Sequence, residues 1–279
     1  EMLLAVDVGN TNLTLGVYQG NRLIAHWRLK TDAAQTVDGW GILFRNLFLF
    51  AKIEITEVRG IIVSSVVPQL DSSLEQMAAG YFRIQPLFVT SATDTGITIK
   101  TDNPAEVGAD RIVNAVAAYT RYGGPCIAVD FGTAVTFDAI SARGEYLGGL
   151  IAAGIGVSSD ALFRRTARLP RIDVRLPARV IGTNTVAMLQ SGLYYGTLGM
   201  MDGILERMLA ELGPKTTVVA TGGEAVVLCG ASRYVKTIDE HLTLEGLRII
   251  WERQPSRAKK TGHGPAASKK TSRGKTRRT

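Results

Sequence analysis

The sequence lacks a long apolar run, a cysteine framework and a histidine cluster. No stretch approaches the roughly 18 consecutive apolar residues that a membrane-spanning helix needs, so no membrane span is predicted. The two cysteines, Cys126 and Cys229, have apolar neighbours and lie far apart, which is typical of buried, reduced thiols in a cytoplasmic protein. The three histidines are not at metal-ligand spacing, which disfavours a zinc site.

An acidic excess is also absent, because the formal net charge is +7 over 279 residues. An excess of basic residues is typical of proteins that bind nucleic acid or a membrane surface. Nine of the 32 Lys and Arg residues, however, fall within residues 255–279, which contain no Asp or Glu. The preceding residues carry 23 basic and 25 acidic side chains, so the body is near neutral. We predict a disordered basic tail over 255–279, which is either a solvated extension or a weak, salt-sensitive contact with nucleic acid.

What the sequence does contain is a repeated pattern of strand, turn and strand. In the first copy an apolar strand ends in Asp7 and is followed by a tight turn and a returning strand. The second copy begins about 120 residues later and has Asp130 in the place of Asp7. With 46% hydrophobic residues the chain is rich enough for two cores. The duplication predicts two related α/β domains over 1–123 and 124–254.

Hydrophobic periodicity predicts the remaining elements. Strands are predicted over 3–7, 13–18, 22–29, 60–66, 87–90, 126–130, 134–140, 146–151 and 217–220, and helices over 37–51, 68–80, 105–122, 157–168 and 185–212. The last helix carries Gly192, Gly196, Gly199 and Gly203 on one face. Because each glycine costs about 1 kcal/mol relative to alanine, another backbone is expected to approach this face, either within the chain or from a second subunit.

The turns after Asp7 and Asp130 have the residue types that bind phosphates. Glycine lets backbone N–H groups approach a phosphate, and the side chains of Asn10 and Thr11 can donate hydrogen bonds. Asp7 would repel a phosphate directly but can hold Mg²⁺ through water. Thr133 follows Asp130 in the same way, so two hairpins are expected to grip one triphosphate, although each alone could be a plain turn. The glycine-rich loop of P-loop nucleotide binders is missing from the sequence.

Two further motifs have polar or glycine residues next to a predicted helix. Asp110 could accept a proton from a hydroxyl nucleophile, and Arg111 could bind a carboxylate or a phosphate with two hydrogen bonds. The alternative is a favourable charge at the helix start and a surface ion pair. Thr221-Gly222-Gly223 would let a flat nucleoside lie against the backbone, although strand-to-helix turns often contain glycine.

Taken together, four motifs resemble those of the type III pantothenate kinases, which are also described as Bvg-accessory-factor-like. The motifs are Asp7-Val8-Gly9-Asn10-Thr11, Gly108-Ala109-Asp110-Arg111, Asp130-Phe131-Gly132-Thr133-Ala134 and Thr221-Gly222-Gly223. The resemblance covers residues 2–253 and is strengthened by Asp102-Asn103-Pro104. It implies the duplicated ribonuclease-H-like fold of the actin and sugar-kinase superfamily, an α/β architecture of actin-like ATPase domains whose mixed sheets are flanked by helices.

The resemblance also implies a reaction and a set of site residues. ATP would phosphorylate pantothenate at its primary hydroxyl to 4′-phosphopantothenate, the first step of coenzyme A biosynthesis. Asp110 would be the proton acceptor, and Gly108, Ala109, Asp110, Arg111 and Thr185 would bind pantothenate. The ATP site would comprise Asp7, Val8, Gly9, Asn10, Thr11, Asn12, Leu13, Thr14, Thr133, Gly222 and Gly223.

Cations and a second subunit are implied as well. Asp130 would ligate K⁺ or NH₄⁺, and Asp7 would hold Mg²⁺ through water. The protein would be a homodimer with its substrate site close to the subunit interface. Two departures from the family pattern are Thr101, where some members have an aromatic residue, and Ala153-Gly154, where many have Pro-Gly.

Two other functions remain open from the residues alone. One is a non-catalytic ATP-binding regulator, and the other is a kinase of the same superfamily with another small hydroxylated substrate. An intact Asp110 favours an enzyme, because a pure binder has no evident need for a base there.

Overall fold

The computed structural model describes residues 2–166 and 169–255, and its first sheet is built from the N-terminal part of the chain. The elements of this part are β1 (Met2–Val8), β2 (Asn12–Gln19), β3 (Arg22–Lys30), α1 (Val37–Phe50), β4 (Val58–Ser65), α2 (Pro68–Met77) and β5 (Leu87–Phe88). The strand order is β3-β2-β1-β4-β5. The first three strands form an antiparallel meander, whereas β4 is parallel to β1 and β5 is parallel to β4.

The second sheet repeats this arrangement. The elements that follow are β6 (Thr98–Ile99), α3 (Ala109–Tyr122), β7 (Cys126–Phe131), β8 (Ala134–Ile140), β9 (Glu145–Ala153), α4 (Ile155–Arg165), α5 (Thr185–Leu212), β10 (Thr217–Gly222), α6 (Ala225–Cys229), β11 (Thr237–Ile238) and α7 (Leu242–Arg253). The strand order is β11-β10-β7-β8-β9-β6. Apart from the edge strand β6, the strands β7 to β11 take the places of β1 to β5. The predicted duplication is therefore confirmed.

Helices cover the first sheet on both faces, which explains why its central strand is apolar on both sides. On one face α1 packs its buried aromatic residues Trp40, Phe44 and Phe48 with α2 against the sheet. These residues are four apart and therefore lie on one side of the helix. The Thr36 hydroxyl accepts a hydrogen bond from the Gly39 N–H at 3.0 Å, which caps the start of α1.

The helix α3 lies between the two sheets and is buried along most of its length. Its residues Ala109, Val113 and Val116 pack with α7 against the first sheet, whereas Ala115, Ala117 and Ala118 pack against the second. The many alanines allow this close contact on both sides. A Cβ atom on Gly246 of α7 would lie 2.2 Å from the carbonyl oxygen of Val113, so only glycine permits the two helix backbones to approach this closely.

The structure refines several predicted boundaries. The helix predicted from 105 begins at Ala109, because Pro104–Glu106 forms a separate 3₁₀ turn that the Asn103 side chain caps. The helix predicted over 68–80 ends at Met77 and continues as a single π-helical turn. Three elements, α7, β6 and β11, were not predicted from the sequence.

The two predicted domain ranges, 1–123 and 124–254, exchange elements in space. β6 lies at the edge of the second sheet, and α7 packs against the first sheet. The ranges therefore stay a prediction about the order of the repeats along the chain.

From residue 256 onward, the predicted basic tail lies outside the described residues. Within the described ranges, no helix has the length and apolar character needed to cross a bilayer.

Candidate active site

The tips of the two hairpins, one from each repeat, contact each other at a solvent-exposed point. The hydroxyl groups of Thr11 and Thr133 are 2.7 Å apart and share a hydrogen bond. Each tip is fixed in the same way, because the N–H of Thr31 donates to the Thr11 carbonyl oxygen at 2.9 Å and the N–H of Gly154 donates to that of Thr133 at 3.1 Å. The two copies of the turn therefore match in their backbone hydrogen bonds as well as in sequence.

A cleft of about 910 Å³ opens beside this contact and is lined by both repeats. Most of the predicted site residues line it, namely Asp7, Gly9, Asn10, Thr11, Asn12, Thr14, Asp110, Asp130, Thr133, Gly222 and Gly223. Val8 and Leu13 instead point into the hydrophobic core and hold the first hairpin on the sheet. Gly108, Ala109, Arg111 and Thr185 are not among the residues that line the cleft.

Three carboxyl groups of the cleft, those of Asp7, Asp110 and Asp130, each have a raised pKa. Burial, together with the charges of Asp110 and Asp130, raises the pKa of Asp7 to about 8. Burial and the nearby Asp110 likewise raise the pKa of Asp130 to about 6. Burial also raises the pKa of Asp110 above its ordinary value. Ionised carboxylates in this setting favour a bound cation, which would offset both burial and repulsion.

Asp130 and Asp7 differ in their partners. The Asn114 amide donates to Asp130 Oδ2 at 2.9 Å, and the Thr243 hydroxyl donates to Asn114 Oδ1 at 2.7 Å. Asp130 is thus positioned by α3 and by the start of α7. Asp7 Oδ1 is buried and has no hydrogen-bond partner among the described residues. Because such an oxygen is costly to leave unpaired, it fits a ligand or a metal-bound water.

Asp110 lies in the first turn of α3, where the helix dipole favours a negative charge. Its Oδ1 accepts a hydrogen bond from the Arg111 N–H at 2.8 Å. A Cβ atom on Gly108 would lie 2.7 Å from this same Oδ1, so the glycine leaves room for the carboxylate to fold back on the helix start. The helix therefore fixes Asp110 at the cleft wall.

The Gly222 turn forms part of the cleft wall. Gly222 has a φ of +97°, and a Cβ atom on it would lie 2.3 Å from the carbonyl oxygen of Phe131. Both the backbone conformation and the space require glycine. The turn brings the end of β10 beside the end of β7, and both Gly222 and Gly223 line the cleft.

A sequence model of the type III pantothenate kinases matches residues 3–207. The chain belongs to this family. The type III pantothenate kinase of Koribacter versatilis (strain Ellin345) is 55% identical over 273 residues, covering 94% of this chain and 100% of the relative. That of Solibacter usitatus (strain Ellin6076) is 59% identical over 252 residues, covering 90% and 97%. The enzyme is a pantothenate kinase that uses ATP to form 4′-phosphopantothenate in the first step of coenzyme A biosynthesis.

Solved structures share the fold of this kinase. A Campylobacter jejuni protein described as a Baf family transcriptional activator matches with a TM-score of 0.55 at 21% identity, covering 89% of this chain and 97% of its own. A Listeria monocytogenes protein described as an N-acetylmannosamine kinase matches with a TM-score of 0.50 at 12% identity, covering 91% and 100%. At these identities the likeness concerns the fold alone, and it agrees with the predicted actin-like ATPase fold.

A kinase that transfers phosphate from ATP needs a divalent metal ion in general. Asp7 fits such an ion, because its orphaned carboxylate oxygen is the kind of ligand that Mg²⁺ prefers. In the described part of the chain, no three Asp, Glu, His or Cys side chains are grouped to hold a metal by themselves. The ion would therefore take most of its ligands from water and from the nucleotide.

Arg111 of the kinase turns away from the cleft. Its guanidinium forms an ion pair with Asp138 on β8 at 2.7 Å, and the Tyr146 hydroxyl donates to the same carboxylate at 2.6 Å. Burial raises the pKa of Asp138 to about 6 although Arg111 favours its charged form. Thr185, another predicted pantothenate contact outside the cleft, is exposed at the start of α5. The substrate roles of both residues stay predictions.

Several residues in or behind the cleft of the kinase were not found from the sequence. Asn114 and Thr243 position Asp130, and Thr136 on β8 lines the cleft as Thr14 does on β2. Aligning the two hairpins places Thr136 opposite Thr14, so the duplication itself could have revealed it. Arg28 on β3 also lines the cleft.

Proposed function

We propose that the two hairpins hold the phosphates of ATP and that Asp110 accepts the proton of the pantothenate hydroxyl. The observation that carries this proposal is the meeting of Thr11 and Thr133 beside a cleft that also contains Asp7 and Asp110. Exposed N–H and hydroxyl groups at the hairpin tips are suitable donors to phosphate oxygens. A magnesium ion bound with ATP would neutralise part of the phosphate charge.

Asp110 suits the role of base because of its position and its proton affinity. Phosphoryl transfer needs little covalent chemistry, so catalysis depends on holding the hydroxyl in line and receiving its proton. Burial raises the pKa of Asp110, which makes it a better proton acceptor than an exposed aspartate. Its place on a rigid helix limits the directions in which the carboxylate can move.

The test is turnover by the Asp110→Asn variant, measured as pantothenate-dependent ADP formation with Mg²⁺ and K⁺ present. We expect a loss of about 100- to 10,000-fold in kcat with ATP binding and the thermal unfolding transition retained. Asp102→Asn, which removes an exposed carboxylate outside the cleft, is the matched control. Near-wild-type turnover by Asp110→Asn would remove Asp110 from the role of base.

We further propose that Asp130 ligates K⁺ or NH₄⁺. The support is a buried carboxylate whose Oδ2 is oriented by Asn114, next to the hairpin that carries Thr133. Turnover should rise with added K⁺ or NH₄⁺ and remain low with a large organic cation of the same ionic strength. Asp130→Asn should lose this activation, and a wild-type enzyme with the same rate in all salts would contradict the assignment.

A homodimer is proposed through the glycine face of α5. A Cβ atom on Gly192, Gly196 or Gly199 would meet nothing within 4 Å, so the described residues supply no close neighbour to this face. Exposed apolar side chains lie on the same helix, with Val186 44% and Met188 57% exposed. A second copy of the chain would cover both the glycine face and these exposed apolar side chains. Thr185 begins α5, so we propose that it contacts pantothenate in the partner's cleft.

The mass in solution tests this interface. Gly196→Glu should convert the dimer to a monomer in sedimentation velocity, because a charged side chain would stand where the two backbones approach. Gly156→Glu on α4 is the control, since its site is equally open but lies outside α5. A dimer that persists in Gly196→Glu would place the interface elsewhere.

We also propose a cytoplasmic location, supported by two buried cysteines that form no disulfide.

A further inference from the structure

One row of side chains crosses four strands of the first sheet and ends at an arginine. Ser64 on β4, Asp7 on β1, Thr14 on β2 and Arg28 on β3 are successive partners in the strand register. Directly paired residues on adjacent strands point to the same face, and their strands are about 4.8 Å apart. The Arg28 side chain therefore projects from the same face of the sheet as those of Asp7 and Thr14, and all three residues line the cleft.

The second repeat has the same row without the arginine. Thr221, Asp130, Thr136 and Ile151 are the corresponding partners on β10, β7, β8 and β9. Ile151 takes the place of Arg28, is 67% exposed and does not line the cleft. The duplication is thus broken at this one position of the row, where only the first repeat supplies a cation.

The Arg28 guanidinium reaches across to the second repeat. Its Nη1 lies 3.0 Å from the point where a Cβ atom on Gly223 would be, so the group rests over the Gly222 turn. Its charge favours the ionised form of Asp130 and lowers the pKa of that carboxyl, although burial raises it more. The guanidinium has no hydrogen bond or ion pair with any described residue, unlike Arg111, which is held by Asp138.

The charge balance of the cleft points to an anionic partner for this group. Seven carboxylate residues and two arginines line the described cleft. The second arginine, Arg171, already pairs with Asp160 at 3.7 Å. ATP carries close to four negative charges and must enter this acidic space, so an arginine without a protein partner is valuable there. A guanidinium matches phosphate oxygens with two parallel hydrogen bonds.

We propose that Arg28 binds the phosphate chain of ATP. It does so from β3, with Gly223 leaving the space for its guanidinium. The proposal rests on the nucleotide site described above and adds to it a binding residue from outside the two hairpins. Arg28 also links the repeats when nucleotide is present, because it belongs to the first sheet and lies over a turn of the second.

The test compares the affinities of Arg28→Met and Arg28→Lys for ATP, ADP and adenosine by calorimetry. Losing the charge-assisted hydrogen bonds should weaken ATP binding by about 10- to 100-fold, with adenosine affinity and the KM for pantothenate within about twofold of wild type. Arg28→Lys should recover part of the loss, because it keeps the charge but not the two-pronged geometry. Arg22→Met removes a cation from the same strand outside the cleft and is the matched control.

Two results would overturn the proposal. One is ATP affinity of Arg28→Met within twofold of wild type, and the other is an equal loss for adenosine, which would place the contact on the nucleoside. An unchanged thermal unfolding transition establishes that the variants fold, and Arg28→Lys provides a second folded variant if Arg28→Met unfolds. A wild-type enzyme that fails to bind ATP would instead contradict the proposed nucleotide site, so the two failures are distinguishable.

Discussion

Replacing Asp7 by asparagine should change the pH dependence of stability in the enzyme without nucleotide or metal. The ordinary pKa of an aspartate is 3.8, and in the folded protein burial and the neighbouring carboxylates raise that of Asp7 to about 8. Between these values the unfolded chain has an ionised Asp7, whereas the folded protein keeps it protonated. The folded state then binds more protons, so this group's contribution to stability is present at low pH and is lost as the pH rises toward 8.

The size of the effect follows from the same two values. A difference of one bound proton changes the free energy of unfolding by about 1.4 kcal/mol per pH unit. From pH 5 to pH 7 the wild type should therefore lose about 3 kcal/mol through Asp7. Asp7→Asn carries no titrating group at this position, so the loss should be missing from the variant. Its stability relative to wild type should rise by about 3 kcal/mol over this interval.

The measurement is urea denaturation of both proteins at pH 5 and pH 7 with a chelator present. The comparison between the two pH values removes the constant cost of burying an asparagine amide, because that cost is the same at both. Asp102→Asn is the control for loss of a carboxylate as such. A relative stability that changes by less than about 1 kcal/mol would refute the reasoning and imply that the Asp7 carboxylate is stabilised in its charged form.

Two further substitutions test the supporting structure. Asp138→Ala should lower the free energy of unfolding in urea by about 3–5 kcal/mol, because it leaves the largely buried Arg111 charge without its fully buried partner. Replacing both partners by Leu and Met should restore much of that loss, and equal losses in the single and double variants would contradict the ion-pair explanation. Gly222→Ala should lower the unfolding free energy by at least about 2 kcal/mol, since a Cβ atom would collide with Phe131. Gly156→Ala should have little effect, and similar transitions for the two alanine variants would contradict this account.

The sequence was sufficient where local chemistry decides the structure. The apolar run before Asp7, the tight turn and the returning strand follow from residue order alone, and so does their second copy around Asp130. The carboxylates of both copies lie at strand ends, so the duplicated fold brings them to one cleft. Asp110 was also predicted near the start of a helix, and the structure places it in the first turn of α3 at the cleft, although that helix begins four residues later than predicted.

The sequence was insufficient where contacts between distant segments of the chain determine the local structure. The direction of Arg111 depends on Asp138, which lies on another strand, and the short strands β6 and β11 exist only because a neighbouring strand supplies their hydrogen bonds. α7 did carry a helical pattern in Leu244, Leu247 and Ile250, but no side chain caps its start at His241 and Gly246 interrupts it.

The position of α3 between the sheets has a consequence for the entropy of the reaction. Asp110 begins this helix, and Asn114, one turn later, holds Asp130. Because the helix is enclosed on both sides and its backbone touches that of α7 near Gly246, the proposed proton acceptor and the proposed cation ligand lose their freedom when the chain folds. Pantothenate binding therefore needs to order these two side chains very little. More of the binding free energy is then available to align the pantothenate hydroxyl with ATP.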